Sequence, residues 1–312
     1  MTTVIEAPAV PRPSAVTPLA IARAGATRRT RDSRVKIWVG SVCALLVILP
    51  VAFARLLPLP SPDATHLGER RLPPLTDGHL FGTDQLGRDL LARVLYGGQI
   101  SLTVGILAVV VSGLIGLVLG AAAGYWGGWV DTIVSRLLEA QLSLPLLMML
   151  LLVVALFGPS IPVITFVIAI AQWPEVARLT RSLCLVEREK PYVAAARALG
   201  LGGFAILLRH VIPNIVKQVS LVVLLLLAQA VLLESALSYL GAGPQRPFAT
   251  WGRIISDGQD YVTTSWWLVT LPGLVIALLV IGVNLLGDGL RDRRGGVTFG
   301  LFTRFPLFKK AA

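Results

Sequence analysis

The amino-acid sequence predicts an all-α polytopic membrane protein with six crossings, and three observations carry that expectation. Of the 312 residues, 55% are hydrophobic and 14% charged, against about 25% charged in an average soluble domain. Several apolar runs reach or approach the roughly 20 residues that a helix needs to cross a bilayer. The basic residues gather beside those runs, as orientation signals do. The net charge of +11 is therefore a topology signal, and no nucleic-acid partner is expected.

Taken in order, residues 1–36 mix Pro8, Pro11, Pro13 and Pro18 with Arg28, Arg29, Arg31 and Arg34. Such a segment buries too little apolar surface to order itself, which predicts a disordered tail. Spans are expected at 37–57, 99–124, 134–157, 161–177, 213–240 and 266–288, within one membrane domain of 37–290. The first begins too deep in the chain to be a cleaved signal segment and reads as a retained anchor. The fourth is expected to break early at Trp173-Pro174-Glu175, since proline lacks the helical N–H. The fifth, at about 28 residues and 1.5 Å per residue, must tilt or protrude.

Charge sets the orientation. Lys and Arg number seven in 1–36, one in 125–136, seven in 174–217 and six after 288. The other side holds four in 58–98 and two in 241–265. Twenty-one against six places both termini, the 178–212 loop and the 291–312 tail in the cytoplasm, with 58–98 and 241–265 outside.

Gly116, Gly120 and Gly124 repeat every fourth residue on one helical face. A small face admits close helix approach, either within the chain or with a partner subunit. Glu234, with Ser235 beside it, sits about two turns from the outer end of the fifth span. It pairs with a neighbour such as Arg246 or lines a solute path. Asn284 is a candidate for a bond across helices, and Arg136 with Glu139 for an i,i+3 pair. Trp266 and Trp267 read as interfacial anchors. Cys43 and Cys184 lie in different environments and the three His are scattered, so neither a disulfide nor a metal site is expected. No GxxxxGK[ST] loop, HExxH helix or GxSxG elbow occurs, so this chain is expected neither to bind ATP in the P-loop manner nor to act as an enzyme.

Two polar segments stand apart from the spans. In 192–214, Tyr192 opens a short run of good helix formers, Ala194, Ala195, Ala196 and Arg197. Gly200 follows, suited to a left-handed helix end, and Pro213 marks the next apolar run. In 81–98, Phe81, Gly82, Thr83, Asp84, Gly87, Arg88 and Asp89 precede Leu95-Tyr96-Gly97-Gly98. Glycines flanking Thr83-Asp84 allow a tight turn in which Asp84, Arg88 and Asp89 form a charge network.

These segments, with 233–243, Trp251-Gly252 and 284–292, resemble the inner-membrane permeases of ATP-binding-cassette importers. The likeness is to the C-type subunit of the dipeptide, oligopeptide and nickel branch, over about residues 35–295. In that family the cytoplasmic loop reads Glu-Ala-Ala, three residues, Gly, then Pro about a dozen residues on. Ala195, Ala196, Gly200 and Pro213 fit, while Ala194 stands where the family has Glu. The resemblance implies a type I importer permease fold in a bacterial inner membrane and a 192–213 hook docked in a cleft of an ATPase subunit. It implies as partners a second, similar permease, two ATPase subunits that bind ATP and Mg, and an external solute-binding protein, besides membrane lipid. Peptide is the expected solute, with nickel, glutathione or another small solute as the alternative. An ion-gradient-driven transporter is the rival of another class, and it would want ionisable groups near the midplane.

Overall fold

The computed structural model describes residues 18–245 and 248–293, with side chains from Asp32 onward. Its elements are α1 (Pro18–Ala52), α2 (Leu90–Trp126), α3 (Gly128–Leu142), α4 (Leu146–Phe157), α5 (Ile161–Glu187), α6 (Pro191–Ala198), α7 (Gly203–Ile206), α8 (Ile212–Tyr239), α9 (Trp251–Gly258) and α10 (Trp267–Arg293). A π-helical turn at Leu207–Val211 joins α7 to α8. Among the described residues, five helices are long and apolar enough to cross a membrane, or six if α3 and α4 count as one broken span.

Helix α2 is the centre of the bundle. One face packs along α5, its most extensive neighbour, and another on α8, while α1 pairs with α10. The glycine stripe decides the first contact. A Cβ at Gly116 would lie 2.5 Å from the Val176 Cβ, and one at Gly124 would lie 2.7 Å from the Arg181 carbonyl oxygen. The stripe is thus spent inside the chain, on α5. A second seam, unforeseen in sequence, joins α1 to α10, where a Cβ at Gly40 would lie 2.5 Å from the Leu286 amide nitrogen.

Four expectations need correction. Residues 18–36 were expected to be disordered, yet α1 starts at Pro18. Ser33 is buried, and Lys36 Nζ lies 2.7 Å from Asp292 Oδ2 on α10, so the last residues of the basic stretch, 33–36, are docked on a helix end. Residues 1–17 of that tail, and 294–312 of the C-terminal tail, lie outside the described residues, while 291–293 complete α10. The single span at 134–157 is broken: Pro145 cannot extend α3, and α4 leaves at 90°.

The expected break at Pro174 does not occur, for α5 runs on to Glu187. Pro174 frees the Ile170 carbonyl, and the Gln141 amide from the end of α3 donates to it. The Gln141 Oε1 in turn accepts from Trp173 Nε1 at 2.7 Å. A supplied donor removes the reason to break. The fifth span likewise begins before Pro213: the Ile212 N–H reaches back to the Leu207 carbonyl, making the π-turn that accommodates the missing proline donor.

Candidate functional site

Two polar assemblies lie at opposite ends of the bundle. The first is the hook. Pro191 starts α6, where its missing N–H costs nothing. The end is a double-bonded glycine cap: the Gly200 N–H donates to Arg197 O at 2.9 Å and the Leu201 N–H to Ala196 O at 3.2 Å. Gly200 has φ +82° and open space around it, so it is chosen for its backbone and not for packing.

The hook has two faces. Val193 and Ala196 are buried with Ile206 and Leu207 against Ala121 and Tyr125 of α2 and Cys184 of α5. Tyr192 donates to Glu187 Oε1 at 2.6 Å and accepts from Asn214 Nδ2 at 3.1 Å, tying α5 to α8 through one hydroxyl. Arg188 Nη1 donates to Gly124 O at 2.9 Å and so caps α2. Arg181 forms a two-pronged pair with Asp131 of α3. On the outward face Ala194, Ala195, Arg197 and Pro213 are exposed. Beside them Leu199 is 82% and Phe204 63% exposed, and Leu201 and Leu208 are also uncovered. Arg197 lies over the Tyr125 ring, 5.8 Å from its centroid.

At the other end, residues 81–93 fold around Asp84. This buried carboxylate accepts from the Leu86 N–H at 2.8 Å, the Arg88 N–H at 3.0 Å, Arg88 Nε at 2.7 Å and Arg93 Nη1 at 2.6 Å. Gly82 and Gly87 both have positive φ, as the tight turn requires. Thr83 accepts from the Leu72 N–H at 2.9 Å and donates to Glu69 O, and Phe81 is half-buried. Asp257 of α9 joins the network through Arg93 Nη2 at 3.2 Å and Arg253 Nε at 3.3 Å.

Asp89 has a different task from the one expected. It caps α2 by accepting from the Ala92 N–H at 2.7 Å, and its other oxygen lies 2.6 Å from His79 Nδ1. That hydrogen bond, aided by Glu69 3.6 Å away, raises the His79 pKa against the opposing effect of burial. A raised histidine pKa gives stability that is whole below the unfolded value of about 6.5 and fades as pH rises through the folded value. His79→Gln should therefore be less stable than the native chain at pH 5 to 6, with the gap closing toward about pH 8. Thermal midpoints across that range test this, and a gap independent of pH refutes it.

Glu234 is fully buried on α8 and accepts from Ser238 at 2.6 Å, one turn on. Ser235 is buried beside it, while Arg246, its suggested partner, lies outside the described residues. Asn284 is half-buried and has no side-chain bond among the described residues. Arg136 and Glu139 do pair, at 2.8 Å on an exposed face. Trp266 is exposed, but Trp267 is buried and donates to Thr83 O at 3.4 Å, so it is a structural strut. Sequence reasoning missed Gln141, His79, Arg93 and Asp257. Of these only Arg93, one helical turn past the Arg88-Asp89 pair, carried a local signal.

The same helix arrangement occurs in solved transporter chains. A chain from inward-facing conformations of the MetNI methionine ABC transporter superposes with TM-score 0.52, covering 65% of this chain and 95% of that one at 18% identity. A chain from an amino acid ABC transporter with histidines gives TM-score 0.51, covering 65% and 94% at 21% identity. The fold is that of the type I importer permeases. The chain belongs to the family of binding-protein-dependent transport system inner membrane components, which it matches over residues 116–294. It is 37% identical over 254 residues to the dipeptide transport system permease protein DppC of Alkalihalophilus pseudofirmus, spanning 81% of this chain and 83% of that one. To the oligopeptide transport system permease protein OppC of Haemophilus influenzae it is 40% identical over 220 residues, 70% and 71% of the two chains. It is accordingly a multi-pass inner-membrane transport subunit.

Proposed function

We propose that this chain forms one half of the membrane pathway of an ATP-driven importer of small peptides. The peptide assignment follows its relatives, among them the dipeptide transport system permease protein of Bacillus subtilis, 38% identical over 227 residues. In this reading the hook lies in the cytoplasm and docks an ATPase subunit that holds ATP and Mg. A second permease completes the pathway, and a solute-binding protein delivers on the side of residues 81–98 and α9.

The observation that carries the coupling role is the hook's two-sidedness. An exposed apolar patch of Leu199, Leu201, Phe204 and Leu208 is the kind of surface a partner covers. The opposite face is bonded to α2, α5 and α8 at once, so a push on the hook is delivered to three spanning helices. Because Ala194 offers no charge, the apolar patch and Arg197 make the contact.

Gly200→Pro tests this. Proline cannot adopt φ +82° and lacks the N–H that closes the cap on Arg197. The variant should still co-purify with its ATPase partners, while solute-stimulated ATP hydrolysis and uptake each fall about tenfold or more, a loss of ~1.4 kcal/mol of coupling. Uptake at the native rate would refute the hook's role.

A further inference from the structure

We propose that the cleft between residues 34–38 of α1 and the end of α10 holds the headgroup of an anionic phospholipid. A cavity of about 340 Å³ opens there, lined by Arg34, Ile37, Trp38 and Arg293. Gly289 sets its geometry by letting the two helices close. A Cβ at Gly289 would lie 2.6 Å from Ile37 Cγ1 and 3.0 Å from the Ser33 carbonyl oxygen. Arg293 stands one turn past Gly289, and Arg34 follows Ser33, so one contact brings arginines from two helices to the same cavity.

The acids of this region are turned elsewhere. Asp292 pairs with Lys36 at 2.7 Å, and Asp288 sits in the field of Lys36 and Arg291. Asp32 is two positions from Arg34, about 200° round the helix at 3.6 residues per turn. No acid lines the cavity. Among the described residues neither Arg34 nor Arg293 has an ion pair. Both side chains are exposed, so their N–H donors are open to a ligand. The sequence after 293 adds Arg294, Arg304, Lys309 and Lys310 and no Asp or Glu. A phosphate, with several oxygens to share between two guanidinium forks, complements such a site.

Trp38 decides what carries the phosphate. It is 73% exposed and lies one turn from Arg34 on the same face of α1. Val42, Leu45 and Leu49 continue that face as exposed apolar side chains. The surface therefore passes from charge through an indole to hydrocarbon, the profile of a bilayer interface. A phospholipid matches it in order, with phosphate at the arginines, glycerol beside Trp38 and an acyl chain along the apolar stripe. Basic pockets between spanning helices hold such headgroups. A free phosphate ion would leave the stripe unused, and an acidic protein surface would stop at Trp38. The site requires only that the chain spans a membrane, so its failure would leave the hook's coupling, tested through Gly200, untouched.

The test uses the full chain in neutral detergent at fixed ionic strength, with phosphatidylglycerol, phosphatidylcholine and inorganic phosphate as probes. Native mass spectrometry should show saturable retention of phosphatidylglycerol, about tenfold tighter than that of phosphatidylcholine. Arg34→Gln and Arg293→Gln should each weaken it about fivefold. Neither should move the thermal midpoint in phosphatidylcholine, since neither side chain is bonded within the chain. Arg55→Gln removes an exposed arginine just past the other end of α1 and should leave retention unchanged. Inorganic phosphate at the lipid's concentration should not displace it. Absent or equal retention of the two lipids, displacement by inorganic phosphate, or equal losses in Arg55→Gln and Arg34→Gln would overturn the proposal.

Discussion

Asp84→Ala is expected to destabilise the chain by ~3–5 kcal/mol, the usual cost of removing one partner from a buried ion pair. Asp84 is 1% exposed and holds two guanidinium groups, each itself nearly buried. Its loss strands Arg88 and Arg93 away from water with Asp257 as their remaining counter-charge. The two backbone N–H groups of Leu86 and Arg88 lose their acceptor too, so the turn that leads into α2 opens. Asp84→Asn should fall between, keeping an acceptor oxygen but losing the charge. As a contrast, Arg136→Ala breaks an ion pair in which both side chains are more than 60% exposed, and should change stability by less than ~1 kcal/mol. Thermal or denaturant unfolding in detergent decides the matter. An Asp84→Ala chain as stable as Arg136→Ala would mean that the Asp84 network contributes no stability.

The contrast also marks what sequence could reveal. Asp84 and Arg88 are four residues apart, as are Glu234 and Ser238, so each pairing is legible along the chain. The hook was legible for the same reason, because caps, glycine and helix formers act over a few residues. Asp257 was not, since it meets Arg93 from 164 positions away. Pro174 shows the limit more sharply. Read locally it ends a helix, and the reading failed because one donor, Gln141, arrives from another helix 29 residues upstream of the freed carbonyl. Local rules give the cost of a broken bond but not the identity of a distant substitute. Likewise the Arg-rich segment before residue 37 looked too polar to order, and its last part is held by Asp292, near the end of α10 and 256 positions from Lys36.

Gly120→Leu should be the most damaging single change within the spans. A Cβ at this position would meet the Thr180 Cβ at 2.8 Å and the Ala177 Cα at 3.0 Å. Neither is the loose end of a flexible side chain, so nothing yields except the helices themselves. Overpacking costs ~1–3 kcal/mol where surroundings can shift, and with a four-carbon side chain against backbone the upper end or beyond is expected. The damage should also travel. One turn further on, Gly124 packs on Arg181 and Cys184, and the hook's Val193 and Ala196 rest on Cys184, Ala121 and Tyr125. Parting α2 from α5 at Gly120 therefore splits the platform on which the hook sits. We expect a sharp drop in the yield of monodisperse protein, a lowered thermal midpoint and, in whatever folds, weakened coupling to ATP hydrolysis. Gly273→Ala is the matched control, a helical glycine with open space around its missing Cβ, where ~0.5–1 kcal/mol of gain is expected from helix propensity. If Gly120→Leu behaved like Gly273→Ala, α2 and α5 could not be in backbone contact, and the hook would have no fixed base from which to move them.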